Sequence, residues 1–119
     1  MLVVDQTITV DELKEMASKM FGGMIKAVVD LEKRIMVIDG EMHGDEEFYC
    51  IMELESQQED LWGINLYPSK AKREHWIEFD SMINVRPSSG NKSRKVENVG
   101  IQKQIAELVN TLVIYNERA

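Results

Sequence analysis

The sequence predicts an α+β fold: a mainly antiparallel sheet of four to five strands with three helices packed chiefly on one face, in the order β-α-β-β-α-β-β-α. Three observations carry this. A capping box opens an apolar stripe of helical period near the start, β-branched runs follow as neighbouring pairs, and a second long helical stripe lies near the end. Runs that arrive as hairpins rather than alternating with helices argue for antiparallel pairing.

Taken in order, Leu2-Val3-Val4 reads as a short strand. In Ile8-Thr9-Val10-Asp11-Glu12-Leu13, Thr9 can accept from the amide three residues on while Glu12 reaches back, and Ile8 and Leu13 stand as a hydrophobic staple. Leu13, Met16, Ala17 and Met20 continue as one helical stripe, which Gly22-Gly23 ends. Met24 to Leu31 and Arg34 to Asp39 form a hairpin across a two-residue turn, Glu32-Lys33. That register puts Ala27, Val29 and Leu31 on one face with Arg34, Met36 and Ile38, and Val28 and Val37 on the other. A second helix is expected from about Asp45 to Ser56, with Asp45 as N-cap, Glu46 and Glu47 in its first turn, Phe48, Ile51 and Met52 as its inner stripe, and Cys50 inside it. Strands follow at Asp60 to Tyr67 and His75 to Val85. Alternation places Ile77, Phe79, Ile83 and Val85 with Trp62, Ile64 and Leu66, and leaves Trp76, Glu78, Asp80, Asn84 and Arg86 with Asn65 and Tyr67 on the opposite, polar side. Pro87 stops the ladder, a loop runs to Asn98, and Ile101, Ile105, Leu108, Val109 and Leu112 mark the last helix.

The chain has 119 residues, a mass of 13.7 kDa and a formal charge of −7. No linker, repeat or low-complexity run divides it, so residues 1–119 are read as one domain. A lone cysteine, Cys50, excludes an internal disulfide, and no apolar run reaches the roughly 20 residues of a membrane span. The opening ten residues lack the basic start, apolar middle and small-residue cleavage site of an export signal, so the expected compartment is the cytoplasm. The net charge weighs against nucleic acid as a partner. It is also unevenly laid out: residues 1–34 hold six acids and five bases, 35–69 nine acids and no base, and 70–119 six acids and nine bases.

Two stretches and one strand face offer chemistry. From Asp39 to Asp45, the side chains of Asp39, Glu41, His43 and Asp45 would project from one face of an extended chain and could hold a divalent ion. The same run imitates the start of a calcium-binding loop, but Cys50 stands where a glutamate is needed. From Arg86 to Lys95 there are four bases and no acid. Such a loop could wrap an anion, with Arg86, Lys92 and Arg94 as cations and Asn84 and Asn91 as amide partners. It is not a nucleotide-binding P-loop, because Asn91 separates Gly90 from Lys92 and no upstream glycine is in place. On the polar strand face, Glu78 and Asp80 stand two apart with Trp76 beside them as an aromatic platform. No nucleophile motif is present, and neither His43 nor His75 has a triad frame.

The segments Asp60-Leu61-Trp62-Gly63-Ile64-Asn65-Leu66-Tyr67-Pro68 and Ile77-Glu78-Phe79-Asp80-Ser81-Met82-Ile83-Asn84-Val85-Arg86-Pro87 resemble those of a small family of uncharacterised prokaryotic proteins. The resemblance extends to Met20-Phe21-Gly22-Gly23 and to His43 with Asp45. It implies a single-domain cytoplasmic protein of unknown function. It carries over no catalytic or binding residue, but it directs attention to Trp62, Asn65, Ser81, Asn84, Arg86 and Asn91.

The reading these features favour is a non-enzymatic interaction module that forms a homodimer through the outer sheet face, where Val28, Val37, Trp76 and Met82 mix with charges. A binding protein or enzyme for an anionic small molecule or nucleic-acid end, using the Arg86 to Lys95 loop with Asn65, Trp76, Asn84, Arg86, Asn91, Lys92 and Arg94 as ligand-binding residues, is the alternative, and a metal at Asp39, Glu41, His43 and Asp45 the second. No cofactor and no membrane are expected.

Overall fold

A computed structural model describes residues 1–115 of the chain. In chain order its strands are β1 (Leu2–Val4), β2 (Ile8–Thr9), β3 (Ile25–Asp30), β4 (Ile35–Ile38), β5 (Leu61–Leu66), β6 (Ile77–Glu78) and β7 (Val113–Ile114). Five of them form an antiparallel sheet in the order β1-β4-β3-β5-β6. The other two, β2 and β7, lie side by side as a small parallel pair that joins the ends of the fold. Three α-helices, α1 (Val10–Ser18), α2 (His43–Glu53) and α3 (Val99–Leu112), complete the α+β architecture in the order the sequence predicts.

The capping box is present: Thr9 Oγ1 accepts from Glu12 N at 3.1 Å and Glu12 Oε1 accepts from Thr9 N at 3.3 Å. The helix closes at Lys19, before the glycine pair; Gly22 and Gly23 instead carry the chain through left-handed φ angles of 80° and 66° into β3. The hairpin has the predicted register, Val28 facing Val37 and Val29 facing Met36. Its turn spans Leu31 to Arg34 rather than two residues, with Asp30 Oδ1 accepting from Lys33 N at 2.9 Å and Arg34 in the left-handed region at φ 56°.

Both faces of the sheet are covered. Ala27, Val29, Met36, Ile38, Ile64 and Leu66 pack under α1 and α3, whose buried stripes are Leu13 and Ala17, and Ile105, Leu108, Val109 and Leu112. On the other side Val28, Val37 and Leu61 pack against Cys50 of α2. Of the residues expected on a dimer face, Val28 and Val37 lie under α2 and Trp76 belongs to the opposite core, while Met82 is exposed.

Two elements differ from expectation. The helix α2 starts at His43, with Met42 as an N-cap that makes no side-chain hydrogen bond, and Asp45 falls in the first turn. Its buried residues are His43, Glu46 and Cys50, while Phe48 and Met52 face outward. The strand expected from His75 to Val85 shrinks to Ile77–Glu78. His75 cannot begin it at φ 66°, and Ser81 ends it by capping a 3₁₀ turn over Met82–Asn84. Among the described residues no helix is long and apolar enough to cross a membrane.

Candidate functional site

The loop after β6 is built around two buried carboxamides. Gly63 N in β5 donates to Asn84 Oδ1 at 2.8 Å, and Asn84 Nδ2 donates to Gly63 O at 2.9 Å and Arg94 O at 3.0 Å. The amide thus occupies the place of a neighbouring strand. The approach needs glycine at 63, where an added Cβ would stand 2.5 Å from Ser81 Cβ. Asn91 performs the matching service one turn later. Its Nδ2 donates to the carbonyls of Asn84, Ser93 and Lys95 at 2.8, 3.0 and 2.8 Å, and its Oδ1 accepts from Glu97 N at 3.0 Å.

The two arginines of the loop are also engaged, while Lys92 and Lys95 are exposed. Arg86 Nη1 donates to Gln58 O at 2.5 Å and Nη2 to Leu61 O at 2.7 Å, with the guanidinium centre 4.2 Å from the Trp62 ring centroid. Burial works against its charge. Arg94 grips Asp80 through Nε at 2.8 Å and Nη2 at 3.3 Å. The backbone amides of Lys92 and Ser93 converge on one acceptor, as an anion nest should, but the acceptor is Glu97 Oε2, at 2.9 and 2.7 Å, with Ser93 Oγ adding a third bond at 2.8 Å. The Ser93 hydroxyl and then the amides hold the Glu97 carboxyl below its ordinary range. The backbone amides at Lys92 and Ser93 thus meet an anion supplied by the chain itself, the Glu97 carboxylate.

The polar strand face is divided rather than assembled. Asn65, buried, donates through Nδ2 to Glu78 Oε1 at 2.8 Å and Asp80 O at 3.2 Å, and Tyr67 Oη donates to the same Glu78 oxygen at 3.2 Å. Burial, with the Glu78 charge second, raises the Tyr67 hydroxyl. Trp76 is on the other side, buried, with Nε1 donating to Asn110 Oδ1 at 3.3 Å. It precedes β6, so strand alternation does not govern it.

The metal candidates do not converge. Asp39 turns left-handed at φ 70° and the helix starts at His43, which breaks the extended run. Asp39, Glu41 and Asp45 are exposed while His43 is buried, its Nε2 2.7 Å from Ile64 O, and burial lowers its pKa. No group of three or more metal-ligating side chains occurs among the described residues. Nearby stands Glu46, which no pattern in the sequence marks as buried and which is fully so. Its Oε2 accepts from Gly40 N at 3.0 Å, and burial pushes its carboxyl up to about 9. The Cys50 thiol, likewise buried, is pushed up to about 12 and is no nucleophile.

Two concavities bear on function. One, of about 540 Å³, lies between Trp62, Arg86, Glu59, Glu97 and Ile101; Arg86 Nη1 and Nη2 and Glu97 Oε2 are bonded as just described, whereas Arg86 Nε is buried without a partner. The other, of about 420 Å³, lies on the outward side of α2 between Met1, Asp45, Phe48, Tyr49, Met52 and Glu53. Phe48 is 65% and Met52 60% exposed, whereas the helical stripe read from the sequence puts both in the core. The signal for the true phase is the i, i+4 pair Cys50 and Leu54, on the side that packs against the sheet.

Residues 2–112 match the family described as "Protein of unknown function (DUF5674)". The chain belongs to this family. No curated protein and no solved structure matches it. The DUF5674 match spans all three helices, both asparagine clamps and, Met1 apart, the residues of both concavities. The family description names no activity.

Proposed function

We propose that the protein is a non-enzymatic interaction module whose binding surface is the outward side of α2. One observation carries the reading. Asn84, Asn91 and Arg94 are committed to internal hydrogen bonds, whereas Phe48 and Met52, one helical turn apart, stand exposed in a concavity beside Met1 and Tyr49. Isolated exposed apolar side chains need no explanation, but a contiguous group rimmed by charges marks a contact surface. The interface expected on the sheet is thereby moved outward by one layer, onto the helix that covers it.

A photo-crosslinking phenylalanine analogue introduced at position 48, with exposed Lys103 of α3 as the control position, tests this in the producing cell. A discrete adduct is expected from position 48 and none from 103. The captured protein, once purified, should bind the unmodified module and lose binding to the Phe48→Ala, Met52→Ala double variant. No adduct from 48, or the same adducts from both positions, would remove the reading.

A further inference from the structure

Resting on that reading, we infer that the outward face of α2 receives a basic amphipathic segment of another protein, apolar side on Phe48 and Met52, lysines or arginines on the carboxylates around them. Asp45 and Glu53 line the concavity, one at each end of the apolar pair. Glu41 and Glu55 stand exposed before and after the helix. The whole stretch from residue 35 to 69 has nine acids and no base. Nearby positive charge is limited: Lys26 Nζ is tied to Glu41 O at 3.0 Å, and the amino terminus acts on Glu46.

The shape of the surface selects the partner further. Methionine side chains, flexible and polarizable, adapt to varied apolar shapes, and the aromatics Phe48 and Tyr49 give them an anchor. A row of apolar residues on a helix carries its own basic residues on the flanks, within reach of Asp45 and Glu53. A second copy meeting this face with its own α2 would bring the acids of one helix against those of the other, and like charges across an interface cost several kcal/mol. Nucleic acid and anionic lipid are repelled for the same reason.

The test uses a labelled leucine–lysine amphipathic helix, with leucine–glutamate and leucine–serine helices of identical pattern, titrated with the full chain and followed by anisotropy. The lysine helix is expected to bind saturably and to weaken with added salt. Its affinity should fall by about tenfold or more for Phe48→Ala with Met52→Ala and, separately, for Asp45→Asn with Glu53→Gln. Amide-shift mapping on the unmodified protein gives a reading independent of variants; shifts confined to α2 support the inference, and shifts centred on Arg86 to Lys95 overturn it. Equal binding by the apolar double variant also overturns it, as charge alone would then suffice. If the serine or glutamate helix binds as well and that binding is lost with Phe48 and Met52, the interface stands and the basic class falls. The basic class falls in the same way if sedimentation shows a dimer that Phe48→Asp dissociates. Absence of any peptide binding, self-association or position-48 adduct brings down both.

Discussion

Glu46 is the residue whose environment departs furthest from what its chemistry prefers. It lies in the first turn of α2, where a carboxylate is ordinarily favoured by the helix dipole, but it faces the sheet and is fully buried. It accepts a hydrogen bond from Gly40 N, and an added Cβ on Gly40 would stand 2.6 Å from Glu46 Cγ, so the loop and the side chain are fitted to each other. Desolvation outweighs the opposing Gly40 bond and the charge of Lys26, raising the carboxyl from 4.5 to about 9. The folded state therefore keeps a proton that the unfolded state releases, and stability contributed by this group is full below pH 4.5 and is lost as pH rises towards 9. The neutral isostere in Glu46→Gln keeps an acceptor for Gly40 and has nothing to ionise. We expect urea midpoints of the two proteins to lie close together near pH 5 and to separate as pH rises, with the variant more stable at pH 9 by on the order of a few kcal/mol. Parallel pH profiles would show that Glu46 is ionised in the fold.

At the scale of elements, what the sequence shows and what it conceals divide along one physical line. The α1 entrance, the α3 stripe and the β3–β4 register are readable because each is a periodicity of side chains, and buried side chains must repeat as the backbone does. The stretch from His75 to Val85 has the same alternation and, beyond Ile77–Glu78, is not a strand, because its backbone groups bond to side chains and to local turns rather than to a neighbouring ladder. Asn84 offers Gly63 an acceptor and a donor, Asn91 closes the next turn, and Ser81 caps the 3₁₀ turn between. Alternation reports which faces are apolar and is blind to who supplies the hydrogen bonds. Asn84, Arg86 and Asn91 thus stand out in the sequence for a sound reason: they frame the loop. Asn84→Asp tests this. A carboxylate retains the acceptor for Gly63 N but confronts Gly63 O and Arg94 O, at 2.9 and 3.0 Å from the present Nδ2, with no donor. Arg94 O keeps the Ser81 amide at 3.0 Å, so the buried carbonyl left unpaired is that of Gly63, at a cost of about 1–3 kcal/mol, read as a drop in the denaturation midpoint. A midpoint within error of the wild type would mean that the clamp is dispensable.

For the molecule as a whole, the decisive connection is between parts of the chain more than a hundred residues apart. Ile8 and Thr9 pair in parallel with Val113 and Ile114, a contact too short to leave a periodic trace in the sequence. Its position matters more than its length. Thr9 is both a member of this pair and the N-cap of α1, so β7 holds the point at which the first helix begins. Val113 is fully buried and continues the α3 stripe into the same core that α1 closes. Charge gives the complementary picture: the acid-rich middle of the chain forms α2 and its approaches, while α1, α3 and β7 lie over the other face of the sheet. If β7 is a clasp for the α1–α3 layer, removing the chain beyond Leu112 should lower the stability of the entire fold and not merely fray one end. Loss of Val113 alone withdraws about 1.5–3 kcal/mol of burial, before the two strand pairings are counted. Unfolding followed by fluorescence of the two buried tryptophans, Trp62 and Trp76, and by helix circular dichroism should then remain coincident at a lower midpoint. Amide exchange at Thr9 and through α1 should quicken while β3 and β5 keep the highest protection. A truncated chain that melts at the wild-type midpoint would reduce β7 to an ornament of the α3 terminus.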